Sequence, residues 1–443
     1  MACLRSRAAR GARGGEHSGS RPRLGQHRSG LGASHRGSRP PPGAGDLSGE
    51  GHVVLIHAPG RYRSPGSPNP GRTTPNLPGR IDWQSFGLAL GGRWRLVLAA
   101  YATGTGGDDL LANLEVGERE IPAPPRGFVR LAVLAATLNH HDLWTLQGVG
   151  VPPSSFPRTL GCDVAGRVES YGPDTPPSLP VGSEVVAHAV VTCGVCDACL
   201  GPDETLCRRF ALLTEGPYEG TLAEYCVVPA QNLFPIPAGL SPEQAACLPT
   251  AYLTAYRMLF NKGGLRPGGT VLIQGAGGGL STAAEILALA AGLRVIVASR
   301  SRSKREAALG RGVHHAVATG SEEVSEVLAL TAGEGVDVVL ESVGEATWAA
   351  SLRVLRRGGA VVVAGATSGA DPPSDLRRVF WRQLRVLGSM MGTRAEFRSL
   401  LQMVEATRVH PLIDSVFPLS DAGAAFSRLE AGELAGKLVV KVS

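Results

Sequence analysis

The chain has 443 residues, of which 43% are hydrophobic and 19% are charged, and it is long enough for one or two domains with their own cores. Its net charge of +6 is accounted for by residues 1–50 alone, where nine arginines stand against three acidic residues. The rest of the chain is neutral in sum, so its charge does not indicate nucleic-acid binding. No apolar run approaches the ~18 residues of a membrane span.

The first 92 residues are rich in Arg, Gly and Pro and show no hydrophobic period. Such a composition cannot bury enough apolar surface to fold, so we expect residues 1–92 to be a disordered extension. Their Arg-rich, acid-poor start is also typical of a mitochondrial transit peptide, although a dispensable extension of a cytoplasmic protein is the preferred interpretation. The chain shows no signal-peptide pattern and its cysteines are clustered, which favours a reducing compartment.

Regular structure is predicted to start near Trp94 and to form a β-domain over residues 93–245. Several short runs alternate apolar with polar residues and are separated by Gly and Pro, a pattern that is typical of strands. The predicted strands of this domain are Arg126–Thr137, Gly161–Ser170, Ser183–Val190 and Thr221–Val228.

Beyond this domain, strands alternate with helices. Ser241, Pro242 and Glu243 supply an N-cap, a first-turn proline and a first-turn acid, which together predict a helix start. The predicted strands are Thr270–Gln274, Arg294–Ala298, Val336–Leu340, Ala360–Ala364 and Leu434–Val442, and the predicted helices are Ser281–Ala291, Arg302–Leu309 and Thr347–Leu355. The alternation predicts an α/β fold with a doubly covered parallel sheet over residues 246–385, followed by a C-terminal part, 386–443.

Four of the eight cysteines lie within 15 residues, with the spacing Cys193-x2-Cys196-x2-Cys199-x7-Cys207. Two-residue gaps let neighbouring sulfurs converge on one ion, and four thiolates at about 2.3 Å form a zinc shell. Because four thiolates leave no position for water, the predicted zinc is structural. The alternatives are free or disulfide-bonded cysteines and a redox-active Cys-x-x-Cys pair.

A glycine-rich turn follows the predicted strand Thr270–Gln274 and precedes a predicted helix. Glycines in this context let the backbone approach a pyrophosphate and expose amides at the helix N-terminus, although a merely tight turn is the alternative. The candidate cofactor-binding residues of the turn are Gly275, Gly277, Gly278, Gly279 and Leu280.

The end of the next predicted strand bears on the choice of cofactor. Ser299 and Arg300, with Arg302 and Lys304 nearby, stand near the position where an NAD-selective site has an acidic residue. These groups suit a 2′-phosphate, so NADP(H) is favoured over NAD(H). The alternative is that they only begin a solvated helix.

With these motifs the chain resembles the zinc-type medium-chain dehydrogenases/reductases, over roughly residues 93–443. Further marks of that family are the runs 138–142, 160–166, Val185-Val186, Glu224-Tyr225 and 436–439. The resemblance implies a GroES-like catalytic β-domain, a Rossmann doubly wound parallel sheet, and a C-terminus that returns to the GroES-like domain. The active site would lie in the cleft between the domains. The resemblance also implies a homodimer, because the final Rossmann strands of such enzymes often pair across a two-fold axis.

The alcohol dehydrogenases of this family also hold a catalytic zinc ion. The resemblance aligns its three protein ligands with Asn139, Cys162 and Thr250, and a neighbouring acidic residue with Asp163. Only Cys162 among the three is a good zinc ligand, so we expect hydride transfer to proceed without a second zinc. The glycine turn departs from the family as well, since Ser281 replaces its last expected glycine.

Without that zinc, polar side chains must stabilise the oxyanion or enolate that hydride transfer creates. Asn139 is the first candidate, with its side-chain amide aimed at a substrate carbonyl. His141 is the candidate proton donor, since imidazole titrates near neutrality, and the alternative is that it only starts a surface helix. Asp142 is expected to cap or orient its neighbours rather than to react.

The sequence therefore predicts an NADPH-dependent reductase of a small-molecule conjugated carbonyl, which is a quinone, an enone or an enoyl compound. Neither nucleic acid nor membrane is an expected partner. One alternative is a zinc-dependent alcohol dehydrogenase with an atypical catalytic shell of Cys162, Asp163 and His141. The other is an NADPH-binding sensor or structural subunit without catalytic activity.

Overall fold

The computed structural model describes residues 96–107 and 109–443, so the extension predicted for residues 1–92 lies outside the described part of the chain. None of the helices in the described part is both long and apolar enough to cross a membrane. The described residues form two lobes, each built on its own β-sheet, and side chains from both lobes share one large hydrophobic core.

The first lobe is built from short strands. These are β1 (Leu96–Ala102), β2 (Leu114–Glu120), β3 (Phe128–Thr137), β4 (Arg158–Thr159), β5 (Asp163–Tyr171), β6 (Glu184–Ala187), β7 (Val190–Val191), β8 (Ala211–Leu212), β9 (Tyr225–Pro229) and β10 (Leu233–Pro235). Its helices are α1 (His140–Leu146), α2 (Asp197–Leu200) and α3 (Pro242–Ala246). Strand β3 is central because it pairs antiparallel with both β5 and β9.

The predicted helix start near Ser241 is confirmed by a capping box. The backbone N–H of Gln244 donates to the Ser241 hydroxyl at 3.3 Å, and the backbone N–H of Ser241 donates to the Gln244 side chain at 3.1 Å. These two bonds satisfy donors that would otherwise be unpaired at the first turn of α3.

The second lobe is a parallel sheet with helices on both faces. Its strands are β11 (Thr270–Gln274), β12 (Arg294–Ala298), β13 (His315–Val317), β14 (Val336–Glu341), β15 (Leu355–Val363) and β16 (Arg385–Gly388). A continuous helical segment, α4, formed by Leu248–Tyr252, Leu253–Tyr256 and Arg257–Lys262, leads into it. The other helices are α5 (Gly279–Ala290), α6 (Arg302–Gly310), α7 (Glu323–Leu330), α8 (Glu345–Arg353), α9 (Leu376–Arg382) and α10 (Arg394–Thr407).

The strand order in this sheet is β13-β12-β11-β14-β15-β16. The chain starts in the middle with β11, moves outward in one direction to β13, and then returns to β14 on the other side. This is the predicted doubly wound Rossmann order, and ligands of such sheets bind where the direction reverses, beyond the carboxyl ends of the central strands. The fold therefore places a ligand crevice at the end of β11, where the glycine turn begins.

The C-terminal residues return to the first lobe as predicted. Strands β17 (Ile413–Pro418) and β18 (Lys437–Lys441), with helix α11 (Ala422–Ala431) between them, join the main sheet of that lobe. Strand β18 pairs antiparallel with β3, with Val439 opposite Thr137. This register brings Lys437 next to the residues that follow β3.

Several predicted bounds differ from the structure. The runs 221–228 and 434–442 are strand only from Tyr225 and from Lys437, and the helix predicted to end at Leu355 ends at Arg353. The run 183–190 is divided, since β6 ends at Ala187, His188 and Ala189 lie outside both strands, and β7 begins at Val190. The strand predicted to begin at Ala360 already begins at Leu355, and its first half was not predicted because it consists mainly of Arg and Gly.

Candidate active site and metal centre

The four cysteines lie in one loop, the zinc lobe (residues 193–207), and bring their sulfur atoms together. The Sγ–Sγ distances are 3.5 Å for Cys196–Cys199 and Cys193–Cys207, 3.7 Å for Cys193–Cys199 and 3.8 Å for Cys196–Cys207. A tetrahedron with Zn–S bonds of about 2.3 Å has edges of about 3.8 Å, so the donor set and its geometry fit zinc. Among the described residues, it is the one group of three or more Cys, His, Asp or Glu whose ligand atoms converge in this way.

Backbone amides around the zinc lobe favour charged sulfur. A hydrogen bond from the backbone of Val195 lowers the pKa of the Cys193 thiol to about 6, although desolvation opposes it. The N–H groups of Cys193 and Arg209 donate to the Cys207 sulfur at 3.4 and 3.3 Å. Burial nevertheless raises the pKa of Cys207 to about 11, so its thiolate needs a cation beside it.

The zinc lobe is anchored to the second lobe by two charged contacts. Between the third and fourth cysteines, Glu204 accepts from the backbone N–H and the guanidinium of Arg394 at 2.6 and 2.7 Å. One residue earlier, Asp203 pairs with the buried Arg257, whose other guanidinium nitrogen donates to Glu396 at 2.7 Å. A metal that fixes the Cys199–Cys207 segment therefore also fixes these contacts.

The glycine turn has the geometry that a nucleotide site needs. Gly277 has a positive φ of 87°, and an added Cβ would lie 2.5 Å from the carbonyl oxygen of Leu434, so a side chain has no room there. The backbone N–H of Gly436 donates to the Gly277 carbonyl at 2.9 Å and ties the turn to the C-terminal segment. The helix α5 begins at Gly279, and amides of its first turn are available to a pyrophosphate.

The turn brings together the five cofactor residues predicted for it, which are Gly275, Gly277, Gly278, Gly279 and Leu280. Ser281, which replaces the last glycine expected in the turn, lies within helix α5, and its hydroxyl donates to the Gly278 carbonyl at 3.0 Å.

The residues predicted to select NADP(H) are placed differently from one another. Arg302 is exposed and pairs with Glu306 at 2.8 Å. Ser299 is buried at the end of β12, and its hydroxyl accepts from the backbone N–H of Ser301 at 3.3 Å. Arg300 is exposed and free to meet a ligand. The Lys304 ammonium donates to the Gly432 carbonyl at 2.9 Å, so it is held by the C-terminal segment rather than directed to a phosphate.

A buried polar network, which we call the Asp163 network, follows β3 and opens β5. Asp163 is fully buried and its carboxylate accepts from four donors. The donors are the hydroxyls of Thr137 at 2.7 Å and Thr250 at 2.6 Å, the Asn139 amide at 2.8 Å and the Lys437 ammonium at 3.4 Å.

The Asn139 side chain is held on both sides by this network. Its Oδ1 accepts from the Lys437 ammonium at 2.6 Å, and its Nδ2 donates to Asp163. The second amide hydrogen faces only the sulfur of Cys162, at 3.6 Å. The amide expected to point at a substrate carbonyl therefore has one hydrogen committed to a buried carboxylate and one that is weakly held.

The positions aligned with the catalytic zinc ligands do not offer a metal shell. Burial, with the nearby charge of Asp163, raises the pKa of the Cys162 thiol well above its usual range. The Cys162 sulfur lies 3.5 Å from the Thr250 hydroxyl, and Asn139 and Thr250 are neutral. The residues present do not fit a catalytic zinc ion, which prefers thiolate, imidazole or carboxylate ligands with free lone pairs.

The side chains of His141 and Asp142 have separate partners. His141 Nε2 lies 2.9 Å from Oε1 of Glu215, and its Nδ1 is buried without a hydrogen-bond partner. Asp142 is fully buried and accepts from the backbone N–H groups of Asn139 and Gly161 at 2.8 and 2.9 Å. Asp142 thus caps helix α1 and joins it to the start of β5, which is the orienting role expected for it.

Two residues of the site carry no local sequence signal for the role that they have in the structure. Lys437 belongs to a run quoted as a family mark, but only the pairing of β18 with β3 shows that it lies beside Asn139. Glu215 lies in a stretch with no recognisable motif, and Arg158 holds that stretch by donating to the carbonyls of Thr214 and Gly216, both at 2.7 Å.

Comparisons with known proteins agree with this architecture. Residues 125–238 match the alcohol dehydrogenase GroES-like domain, and residues 279–406 match the zinc-binding dehydrogenase domain. A zinc-type alcohol dehydrogenase-like protein of Schizosaccharomyces pombe is 32% identical over 74% of this chain and 95% of its own length. The crotonyl-CoA carboxylase/reductase of Cereibacter sphaeroides is 30% identical over 70% of this chain and 79% of its own.

A solved structure of an NAD-dependent alcohol dehydrogenase superposes with a TM-score of 0.73 at 36% identity, covering 78% of this chain and all of that one. The chain therefore belongs to the zinc-type medium-chain dehydrogenase/reductase superfamily, and it is an oxidoreductase. Its relatives include both alcohol dehydrogenases and crotonyl-CoA reductases.

Proposed function

We propose that the protein is an NADPH-dependent reductase that transfers hydride to a conjugated carbonyl compound, which is a quinone, an enone or an enoyl thioester. The observation that carries this proposal is the Asp163 network, in which neutral Asn139 and Thr250 and the thiol of Cys162 stand where a dehydrogenase would need metal ligands. Reduction of a conjugated carbonyl needs stabilisation of an enolate oxygen, and hydrogen-bond donors can supply it without a metal.

The choice of NADPH is supported by the end of β12. Positions 299 and 300 are serine and arginine, whereas an NAD-selective site has an acidic residue there that accepts a hydrogen bond from the ribose 2′-hydroxyl. The exposed guanidinium of Arg300 has the charge and the planar donors that favour a 2′-phosphate. Bound NADPH would supply the hydride.

Side chains of the protein must stabilise the negative charge that develops on the substrate oxygen. Asn139 Nδ2 lies 3.6 Å from the sulfur of Cys162, and sulfur is a poor hydrogen-bond acceptor. A substrate carbonyl oxygen can therefore replace the sulfur as the acceptor of this hydrogen bond. One oriented donor of this kind typically contributes about 10²–10³ in kcat. When His141 is protonated, its Nε2 donates a hydrogen bond to Glu215, and its Nδ1 carries a second hydrogen that has no partner. This Nδ1 hydrogen is our candidate for the proton that is transferred to the substrate to complete the reduction.

The test combines a metal count with a substrate panel. Purified protein is expected to contain about one zinc ion per chain and to oxidise NADPH with quinones, enones or enoyl thioesters, but not with saturated aldehydes. About two zinc ions per chain with NAD(P)-dependent oxidation of alcohols would instead establish a dehydrogenase with an atypical catalytic shell. Tight NADPH binding without turnover on the whole panel would identify a non-catalytic binding protein.

We also propose that the active form is a homodimer. Strand β16 ends the parallel sheet and has β15 as its neighbour on one side only, within the described residues. Next to it, Leu376, Phe380 and Trp381 of α9 are 69%, 67% and 68% exposed, which is unusual for such large apolar side chains on one short helix. A second copy that pairs edge to edge with β16 would cover both the strand and the apolar side chains.

A further inference from the structure

Arg158 is a buried cation whose hydrogen bonds go to backbone carbonyls rather than to a carboxylate. The residue is 5% exposed. Its Nη1 donates to the carbonyls of Thr214 at 2.7 Å and Tyr218 at 2.8 Å, and its Nη2 donates to the Gly216 carbonyl at 2.7 Å. Desolvation lowers the pKa of Arg158, because burial disfavours the charged form. A neutral side chain would avoid this cost, so a guanidinium at this position calls for an explanation.

The three carbonyls belong to one short turn, residues 212–219, which we call the Glu215 turn. Within it, Thr214 has a positive φ of 78°, a conformation that is strained for a β-branched residue. The Thr214 hydroxyl donates at 2.8 Å to the carbonyl of Thr159, which follows Arg158 in β4. Strand β4 therefore holds the strained residue through both its carbonyl and its hydroxyl. Backbone strain of this kind persists where surrounding contacts fix it, and it is concentrated at functional sites.

The strained residue directly precedes Glu215, whose two carboxylate oxygens are both bound. Oε1 lies 2.9 Å from Nε2 of His141, and Oε2 accepts from the backbone N–H of Leu212 at 2.8 Å. A carboxylate that is bound at both oxygens is prevented from rotating away from the imidazole. The His141 ring is therefore fixed at Nε2, and its buried Nδ1, which has no partner, is the ring nitrogen left for another molecule.

The charged groups that face this pair come from α1, β5 and β4. Asp142 and Asp163 act on His141, and Arg158 acts on Glu215. Desolvation acts to raise the pKa of Glu215, but the bond and charge of His141 and the charge of Arg158 help to outweigh it. Arg158 thus contributes to the shape of the turn and also to the charge balance of the pair.

We propose that Arg158 is a positioning residue for proton transfer: it holds the Glu215 turn in its strained shape, so that Glu215 fixes the His141 ring and leaves Nδ1 to donate to the substrate. After hydride from NADPH has added to the conjugated carbonyl compound, the resulting enolate takes the proton from Nδ1. His141 becomes neutral and regains a proton from water before the next cycle, while Glu215 stays a carboxylate throughout. This catalytic role rests on the proposed function, whereas the effect of Arg158 on the turn and on the His141 ring needs no substrate.

The first experiment is made without substrate. Arg158→Met removes the three donated bonds, and Arg294→Met is the matched control, because the Arg294 guanidinium also donates to a carbonyl, that of Leu330 at 2.8 Å, in the other lobe. Amide hydrogen exchange measures the opening of residues 212–219, and peptide mapping after treatment with diethyl pyrocarbonate measures the accessibility of the His141 ring. We expect both rates to rise about 10-fold in Arg158→Met and to stay unchanged in the control. Faster exchange without faster modification of His141, or no change in either rate, would overturn the proposal.

The second experiment uses the reaction and remains usable if Arg158→Met does not fold. It compares Arg158→Lys, Glu215→Gln and the double variant. Because general acid catalysis typically contributes about 10²–10⁴-fold, we expect Glu215→Gln to lose about 100-fold in kcat and Arg158→Lys about 10-fold, with little change in KM and a larger solvent isotope effect. The lysine keeps the charge but has one ammonium group for three carbonyls, so its loss is the smaller one.

The double variant decides whether Arg158 acts through Glu215. If it does, the double variant loses no more in kcat than Glu215→Gln alone. Losses that multiply in the double variant, or a loss that is confined to KM, would show that Arg158 acts independently of the pair and would overturn the proposal.

The two experiments separate this proposal from the proposed function. If no conjugated carbonyl is reduced, the proposed function fails, but hydrogen exchange and modification of His141 still report on Arg158. If such a substrate is reduced and the losses multiply, the role of Arg158 fails and the proposed function stands.

Discussion

The imidazole of His141 and the carboxylate of Glu215 form a close, half-buried pair, with Nε2 2.9 Å from Oε1. Desolvation acts to lower the pKa of His141, but the hydrogen bond to Glu215 and the charges of Asp142, Glu215 and Asp163 outweigh it and raise that pKa above its ordinary value of 6.5. For Glu215, desolvation acts to raise the pKa, and the bond and charge of His141 lower it below 4.5. The pair is therefore expected to lose stability both when the pH rises and His141 loses its proton, and when the pH falls and Glu215 gains one.

The stability from His141 is complete below pH 6.5 and is lost as pH rises through its raised pKa, whereas that from Glu215 is complete above pH 4.5 and is lost as pH falls. Glu215→Gln is therefore expected to lower the free energy of unfolding by ~2 kcal/mol near pH 6 and by less near pH 9. Denaturant unfolding at the two pH values measures this. A difference that does not change with pH would show that the two side chains are not coupled in their titration.

The cofactor preference is expected to depend on Arg300. Arg300→Glu should weaken NADPH binding by about 10–100-fold, because it removes a charge-assisted hydrogen bond and places a like charge near the 2′-phosphate. NADH binding should change much less. Arg302→Ala is the matched control, since Arg302 is exposed and paired with Glu306 in the next turn. Cofactor titration followed by fluorescence measures both constants, and an equal loss for the two cofactors would contradict the role of Arg300.

Loss of zinc is expected to loosen the contact between the lobes as well as the zinc lobe itself. Cys196→Ser removes one ligand, so the segment that carries Glu204 should lose its fixed shape and release Arg394 at the start of α10. We expect faster amide hydrogen exchange in both regions and a lower unfolding temperature. Cys247→Ser is the control, because Cys247 is buried outside the metal centre. Faster exchange confined to residues 193–207 would show that the charged contacts hold without the metal.

Dimerisation is expected to depend on strand β16. Light scattering should give twice the chain mass of 46.0 kDa for the wild type and a single mass for Val386→Glu, which places a charge on the edge strand. Val181→Glu is the control, because Val181 is also exposed, at 66%, but lies before β6 in the other lobe. A monomeric wild type, or a dimer that survives Val386→Glu, would exclude this interface.

The sequence patterns predicted best those elements whose signals are local. Strands β11 and β12 have the predicted bounds, because each is an apolar run that is closed by polar or glycine residues at both ends. Helix α3 was located by three adjacent residues. Strand β13 was not predicted, since its three residues are too few for a periodic signal, and helix α10 was not predicted although its buried residues recur at helical spacing.

The metal centre was predictable for the same reason, because its four ligands are close in the sequence. The polar site was predictable only in part. Asn139 and Asp163 were found through the family resemblance, whereas their contact with Lys437 joins residues 298 and 274 positions apart. Patterns of neighbouring residues carry no information about contacts between residues so far apart in the sequence. The partner of His141 was missed because Glu215 is 74 positions away in a stretch without a motif.

The position of Lys437 in the chain also determines when the active site can form during synthesis and folding. Strand β18 must be in place before Asn139 and Asp163 acquire this partner, which lies 298 and 274 positions after them. The polar site is therefore completed only after most of the chain has been synthesised, and the glycine turn likewise waits for its bond from Gly436. Any truncation that removes strand β18 is expected to yield an inactive product, however well the earlier part of the chain folds.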